Sequence, residues 1–148
     1  EVAEGLKRAL ERIHQAREIS FAVKCDPGLK FRGERQDLEE LLGNLLDNAA
    51  KWAATRVALD VSATDRGPEP DRPGKWLRVV IDDDGDGVPE DQRADMVRRG
   101  ERLDETKPGS GLGLSIVNDL VGSYRGHLAF GQSPSGGLRV ELILPAAS

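Results

Sequence analysis

Residues 36–52 carry Leu38, Leu41, Leu42, Leu45, Ala49 and Trp52 at intervals of three and four, a stripe that is buried as one face of a long helix. The segments after it change period. Residues 56–63 alternate through Val57, Leu59, Val61 and Ala63, and residues 76–82 repeat the alternation through Leu77, Val79 and Ile81. A helix with one apolar stripe and strands with one apolar face must cover each other, which dictates a helical layer on a sheet.

The remaining segments extend that pattern. Residues 2–18 place Val2, Leu6, Ala9, Leu10, Ile13 and Ala16 at helical spacing, residues 19–24 alternate, and Pro27 with Gly28 turns the chain into a second short strand at 29–32. Residues 65–75 read as an exposed hairpin loop. Residues 88–111 hold no sustained period apart from a possible short helix near 92–97, and loops of that length usually act as lids or are disordered. Leu112, Ile116 and Leu120 mark a helix over 112–124, and residues 127–130 and 138–144 close the chain as a hairpin around 133–137. No internal repeat is apparent. The expected fold class is α+β, a two-layer sandwich in which about three main helices pack on one face of a mixed or antiparallel sheet. Strands and helices do not alternate as a doubly wound nucleotide fold requires.

With 148 residues the chain fits one domain with a core of its own. The single Cys25 excludes an internal disulfide and reads as a reduced structural thiol, and no Cys/His spacing suits zinc. No apolar run approaches the roughly 20 residues of a membrane span, and no signal peptide opens the chain. It starts at Glu1 inside a helical pattern, which points to excision from a longer protein. A net charge of -5 argues against nucleic acid as a partner, so an anionic ligand would need a local arrangement.

Three segments offer one. On the long helix Glu40, Asn44, Asn48 and Lys51 fall at steps of four, four and three and share a face. Paired asparagines cost helix propensity, although a merely solvated polar face would look the same. The second is Asp82, Asp83, Asp84, Gly85, Asp86 and Gly87 at the end of an apolar strand. Adjacent carboxylates repel one another and do little for an ordinary turn; a calcium loop of the EF-hand type would need a bidentate Glu that is missing. The third is Gly109, Ser110, Gly111, Leu112, Gly113 and Leu114 opening a helix, where backbone N–H groups and the helix's positive end face an anion. It follows a loop rather than a strand, which fails the dinucleotide fingerprint, and no GK[ST] follows as a P-loop needs.

Together and in this order the three segments resemble the N, G1 and G2 boxes of the superfamily that groups histidine kinases with type II topoisomerase, mismatch-repair and heat-shock chaperone ATPases. The resemblance covers essentially the whole chain and implies a Bergerat-type ATP-binding fold. Within the superfamily the hydrolases resemble Glu-x-x-x-Asn, whereas kinases carry a second asparagine, as Asn44 is here. An amide accepts no proton near neutral pH, which favours transfer over hydrolysis. Residues 1–148 are thus identified as a catalytic domain of a sensor histidine kinase without its phosphoacceptor domain.

The resemblance implies the following roles. Asn48 is the Mg²⁺ ligand, Lys51 reaches phosphate, and Trp52 packs near the nucleoside. Asp84 reads adenine, with Gly85 and Gly87 making room for the ring. Gly109, Ser110, Gly111, Leu112, Gly113 and Leu114 wrap the phosphates. Residues 99–109 are similar to the lid of sensor kinases of the PhoQ type, which makes Arg102 and Lys107 candidates for the terminal phosphate. Asn44, Lys51, Arg102 and Lys107 form the expected catalytic set, with ATP and Mg²⁺ as cofactors.

Two departures stand out: lid phenylalanines are absent around Met96 and Val97, and Leu138 stands where many relatives have threonine. The phosphoacceptor pattern of histidine, acidic residue and proline is also absent, because His14 is followed by Gln15 and the next proline is Pro27, while His127 has no acidic neighbour. The acceptor is therefore expected on a dimerisation domain of the same kinase, with a response regulator downstream. The parent is expected to be a homodimer in the bacterial inner membrane with this domain in the cytoplasm, and the fragment alone a monomer. An anti-sigma-type serine kinase and a non-catalytic ATP-sensing domain are the alternatives.

Overall fold

The computed structural model describes residues 2–13, 19–26, 28–64, 75–85, 112–134 and 136–146. Within them the chain forms α1 (Val2–Ile13), β1 (Ser20–Cys25), α2 (Arg35–Trp52), β2 (Arg56–Thr64), β3 (Trp76–Asp83), α3 (Leu112–Ser123), β4 (His127–Gln132) and β5 (Leu138–Pro145). One sheet runs in the order β1-β2-β3-β5-β4. The β1–β2 pair is parallel and the other pairs are antiparallel, so the sheet is mixed. Parallel neighbours require a crossover, and α2 supplies it.

The alternation in sequence becomes the inner face of this sheet. Phe21, Val57, Leu59, Leu77, Val79, Ile81, Val140, Leu142 and Leu144 share it through the ladder register and are buried. Leu41, Leu42, Leu45, Leu46, Ala49 and Ala50 of α2 lie over them, joined by Leu10 of α1 and by Val117 and Val121 of α3. Each fully buried leucine or isoleucine contributes roughly 2–3 kcal/mol. On the outer face Arg78 pairs with Glu141 and Arg139 with Asp82, and such half-exposed pairs add about 0–1 kcal/mol each. The apolar inner face therefore holds the layers together.

Glu34, the N-cap of α2, provides no side-chain cap. The Tyr124 hydroxyl, just past α3, accepts the Glu34 N–H at 3.1 Å and donates to Asp37 in the first turn of α2. Its ring meets Phe31 edge-on at 4.9 Å. The start of α2 is thus pinned to the end of α3.

The expected strand at 29–32 is reduced to one bridge, Phe31 to Ala146, with the Arg32 N–H on the Pro145 carbonyl at 3.0 Å. It runs past the end of β5 rather than along β1, and the Phe31 ring is engaged with Tyr124, so no second ladder forms. The expected hairpin loop at 65–75, apart from Lys75, and the lid lie outside the described residues, as do residues 14–18 of the first helix pattern.

Candidate functional site

The three adjacent aspartates at the end of β3 turn to three different places. Asp82 points to the outer face, where Arg139 grips both its oxygens at 2.8 and 2.9 Å. Asp83 has the parity of Leu77, Val79 and Ile81 and so points inward, with 3 % of its surface exposed. Asp84 lies one residue past the strand and reaches sideways to the turn between α2 and β2. The three carboxylates are thus directed to different partners, although Asp84 and Asp82 still disfavour the charge on Asp83.

A buried carboxylate is costly unless hydrogen-bonded. Asp83 Oδ1 accepts the Gly85 N–H at 2.9 Å and the Leu138 N–H at 3.3 Å. Ser133, itself buried, donates its hydroxyl to the Asp83 carbonyl at 2.8 Å and accepts the Gly137 N–H at 3.1 Å. The β4–β5 turn is shaped for this: Gly136 has a φ of 96°, and a Cβ on Gly137 would lie 2.2 Å from Asp83 Oδ1. Where a threonine hydroxyl is missing at Leu138, the backbone N–H of that residue and the nearby Ser133 hydroxyl surround Asp83. Burial pushes the Asp83 carboxyl above its ordinary value, with Asp84 and Asp82 adding to the rise against the N–H groups of Gly85 and Leu138. A buried acid with a perturbed pKa at a sheet end is a functional-site signature.

Asp84 is committed differently. Its Oδ1 accepts the backbone N–H groups of Ala54 at 3.0 Å, Thr55 at 2.9 Å and Arg56 at 2.9 Å, while its Oδ2 accepts the Thr55 hydroxyl. Partial burial opposes ionisation, but the hydrogen bonds from the Thr55 hydroxyl and the three N–H groups outweigh it and hold the carboxyl at about 2. The expectation that Asp84 reads a base conflicts with this geometry, because both oxygens are occupied by the α2–β2 turn. Asp83, Ser133, Gly137 and Thr55, which the sequence reading did not assign to the site, make these contacts.

The Asp84 clamp brings the end of β3 against the chain that leaves α2, just past Asn44, Asn48 and Lys51. Asn44 donates its amide to the Glu40 carbonyl at 2.8 Å. Asn48 is half-buried at the edge of the apolar stripe, and among the described residues its amide has no hydrogen-bond partner. Lys51 pairs with Asp47 at 3.4 Å, an exposed i,i+4 pair of about 0.3–0.5 kcal/mol that a bound anion would readily displace. The backbone of Leu112, Gly113 and Leu114 forms the first turn of α3, which carries no acidic residue to offset the helix dipole. Gly87, Arg102, Lys107, Gly109, Ser110 and Gly111 lie outside the described residues, as do the side chains of Trp52, Leu112 and Leu114.

The two carboxylates respond to acid with opposite sign. The Asp84 pKa is depressed, so its contribution to stability is present above its unfolded value of 3.8 and is lost as pH falls through about 2. The Asp83 pKa is raised, so its contribution is present below 3.8 and is lost as pH rises through the higher folded value. Urea midpoints from acid to neutral pH should therefore fall less steeply below pH 3.8 in Asp84→Asn than in the parent chain. An unchanged acid slope would show that the clamp is not ionised in solution.

A profile of the family described as histidine kinase-, DNA gyrase B- and HSP90-like ATPase matches residues 33–148. The chain is 45 % identical over 127 residues to the sensor protein kinase CarS of Pseudomonas aeruginosa, covering 86 % of this chain and 26 % of that protein. It is 33 % identical over 140 residues to the sensor protein PhoQ of Escherichia coli, covering 95 % of this chain and 27 % of that protein. The chain thus spans about a quarter of the length of these curated relatives. Among solved structures, the mycobacterial sensor histidine kinase MprB superposes with a TM-score of 0.74 at 32 % identity, covering 97 % of this chain and 93 % of the other.

Proposed function

The chain belongs to the histidine kinase-, DNA gyrase B- and HSP90-like ATPase family, and from that premise we propose that it binds Mg-ATP and donates the γ-phosphoryl group to a histidine on a separate dimerisation domain of its parent sensor kinase. The observation that carries the proposal is the joining of the polar edge of α2 to the buried Asp83 through the Asp84 clamp. One end suits a base and the other a metal-bound phosphate chain.

In this reading Asp83, rather than Asp84, accepts the exocyclic amine of adenine, with Gly85 making room for the ring and Gly137 letting the β4–β5 turn close on the acid. Asn48 supplies an oxygen to Mg²⁺. Among the described residues no group of three or more His, Cys, Asp or Glu could hold a metal. That fits an ion bound mainly by phosphate oxygens and water, as Mg²⁺ prefers. When bound, it would neutralise phosphate charge. Lys51 leaves Asp47 to meet phosphate, and the start of α3 receives the phosphate chain with Gly109, Ser110, Gly111 and Gly113. Arg102 and Lys107 stabilise charge at the γ-phosphate. Asn44 offers no base for water, so the bond to the γ-phosphate persists until an acceptor arrives.

The names of CarS and PhoQ support a place in a two-component sensor, with a response regulator as the next acceptor. No described helix is long and apolar enough to cross a membrane; a cytoplasmic position below a membrane-bound homodimer is proposed from the likeness to the sensor proteins CarS and PhoQ. Calorimetry with ATP in Mg²⁺ and in chelator tests the metal assignment. Mg²⁺ should raise affinity about tenfold, or ~1.4 kcal/mol, and Asn48→Ala should weaken that metal-dependent part while retaining metal-free binding. A variant that keeps the full Mg²⁺ dependence would contradict the role of Asn48.

A further inference from the structure

Asp84 collects four hydrogen bonds from a turn 28 to 30 residues away in sequence. Its own N–H returns one to the Arg56 carbonyl at 3.3 Å. The turn it grips begins directly after Ala53, the C-cap of α2, and so is continuous with the end of the helix, where Lys51 lies in the last turn and Asn48 just before it. In the other direction Asp84 is the chain neighbour of Asp83. One carboxylate thus fastens together the two short segments that carry the two halves of the site.

A ligand that spans both halves benefits from having them held at a fixed separation, whereas a ligand that touches one half does not. We propose that Asp84 is a positioning residue that sets the distance between the base-reading Asp83 and the metal- and phosphate-facing end of α2, and so determines how strongly this chain prefers a nucleoside triphosphate to the bare nucleoside. The inference rests on the roles given above to Asp83 and Asn48. Asp84 itself meets no part of the nucleotide, since contact would require it to release the turn.

The geometry separates the contributions of the two carboxylate oxygens. Asparagine at this position keeps one oxygen for the three N–H groups, alanine keeps none, and Thr55→Val removes only the hydroxyl that meets Oδ2.

The test is equilibrium binding of adenosine and of Mg-AMPPNP to the 148-residue chain and to Asp84→Ala, Asp84→Asn and Thr55→Val. Asp84→Ala should weaken Mg-AMPPNP about tenfold and adenosine by no more than about twofold. Asp84→Asn should recover most of the loss, and Thr55→Val should lose about threefold for Mg-AMPPNP alone. Should the alanine variant not fold, Thr55→Val carries the same comparison, with Asp84→Asn as its near-neutral reference. Equal weakening of both ligands would overturn the proposal by showing a general loss of structure, and a larger loss for adenosine would overturn it by showing that Asp84 touches the base. Asp83→Asn is the control for the premise. If it leaves adenosine binding intact, the reading of the base site fails, and the inference falls with it whatever Asp84 does.

Discussion

Replacing Asp83 with asparagine is expected to lower affinity for adenine nucleotides about a hundredfold, close to 3 kcal/mol, without lowering the melting temperature. The two effects separate because the carboxylate is costly to the fold and useful to the ligand. Burial and the neighbouring Asp84 and Asp82 all disfavour its charge. An asparagine oxygen can still accept from Gly85 and Leu138, so the turn survives and a desolvation cost is removed. The exocyclic amine of adenine, however, would lose a charged acceptor and face an amide donor. Guanine carries a carbonyl at the corresponding ring position and should lose much less, so the preference for adenine should shrink towards none. Parallel calorimetry with ATP and GTP and a thermal melt would measure all three quantities. A fall in melting temperature with no change in affinity would make Asp83 a structural acid and nothing more.

The second large effect concerns transfer. The chain alone should label itself with almost no phosphate, whereas a dimeric helical domain carrying a histidine followed by an acidic residue and a proline should become labelled at least about a hundredfold faster. Phosphoryl transfer requires an acceptor in line with the γ-phosphate. His127 is exposed at the start of β4, an edge strand, with no acidic neighbour in sequence, and His14 lacks the acceptor pattern. Asn44 gives water no base, and its amide is turned back on the Glu40 carbonyl. Slow hydrolysis beside intact binding is the expected behaviour of the isolated chain.

The layer architecture was legible because hydrophobic period is a local property: Leu41, Leu42, Leu45 and Ala49 of the α2 stripe, Val57, Leu59 and Val61 of β2 and Leu77, Val79 and Ile81 of β3 reappear as buried faces, whereas Ala63 at the end of the β2 alternation is exposed. Asp83, the acid we propose for the base, lies a single residue from the Asp84 that the motif reading named. Ending β3 at Asp82 makes Asp83 and Asp84 look like interchangeable loop residues, whereas the strand continues to Asp83 and gives it the inward parity of Ile81. Counting that parity one step further would have found it. The Asp84 clamp leaves no such trace, since its partners at Ala54, Thr55 and Arg56 are remote in sequence and use backbone N–H groups that every residue type offers. The parallel pairing of β1 with β2 was likewise hidden, because it depends on the path α2 takes over the sheet. Tyr124 reads as the end of an amphipathic helix, and only the packed structure shows that it caps α2 through Glu34 and Asp37.

Donation to a histidine outside this chain is tested most directly by mixing the 148-residue chain with radiolabelled ATP, Mg²⁺ and the phosphoacceptor domain, then exposing the labelled product to acid and to alkali. The expected result is label on the acceptor domain alone, lost in acid and retained in alkali. Label that survives acid would indicate a serine kinase, and stoichiometric label at His14 or His127 of this chain would contradict the placement of the acceptor elsewhere.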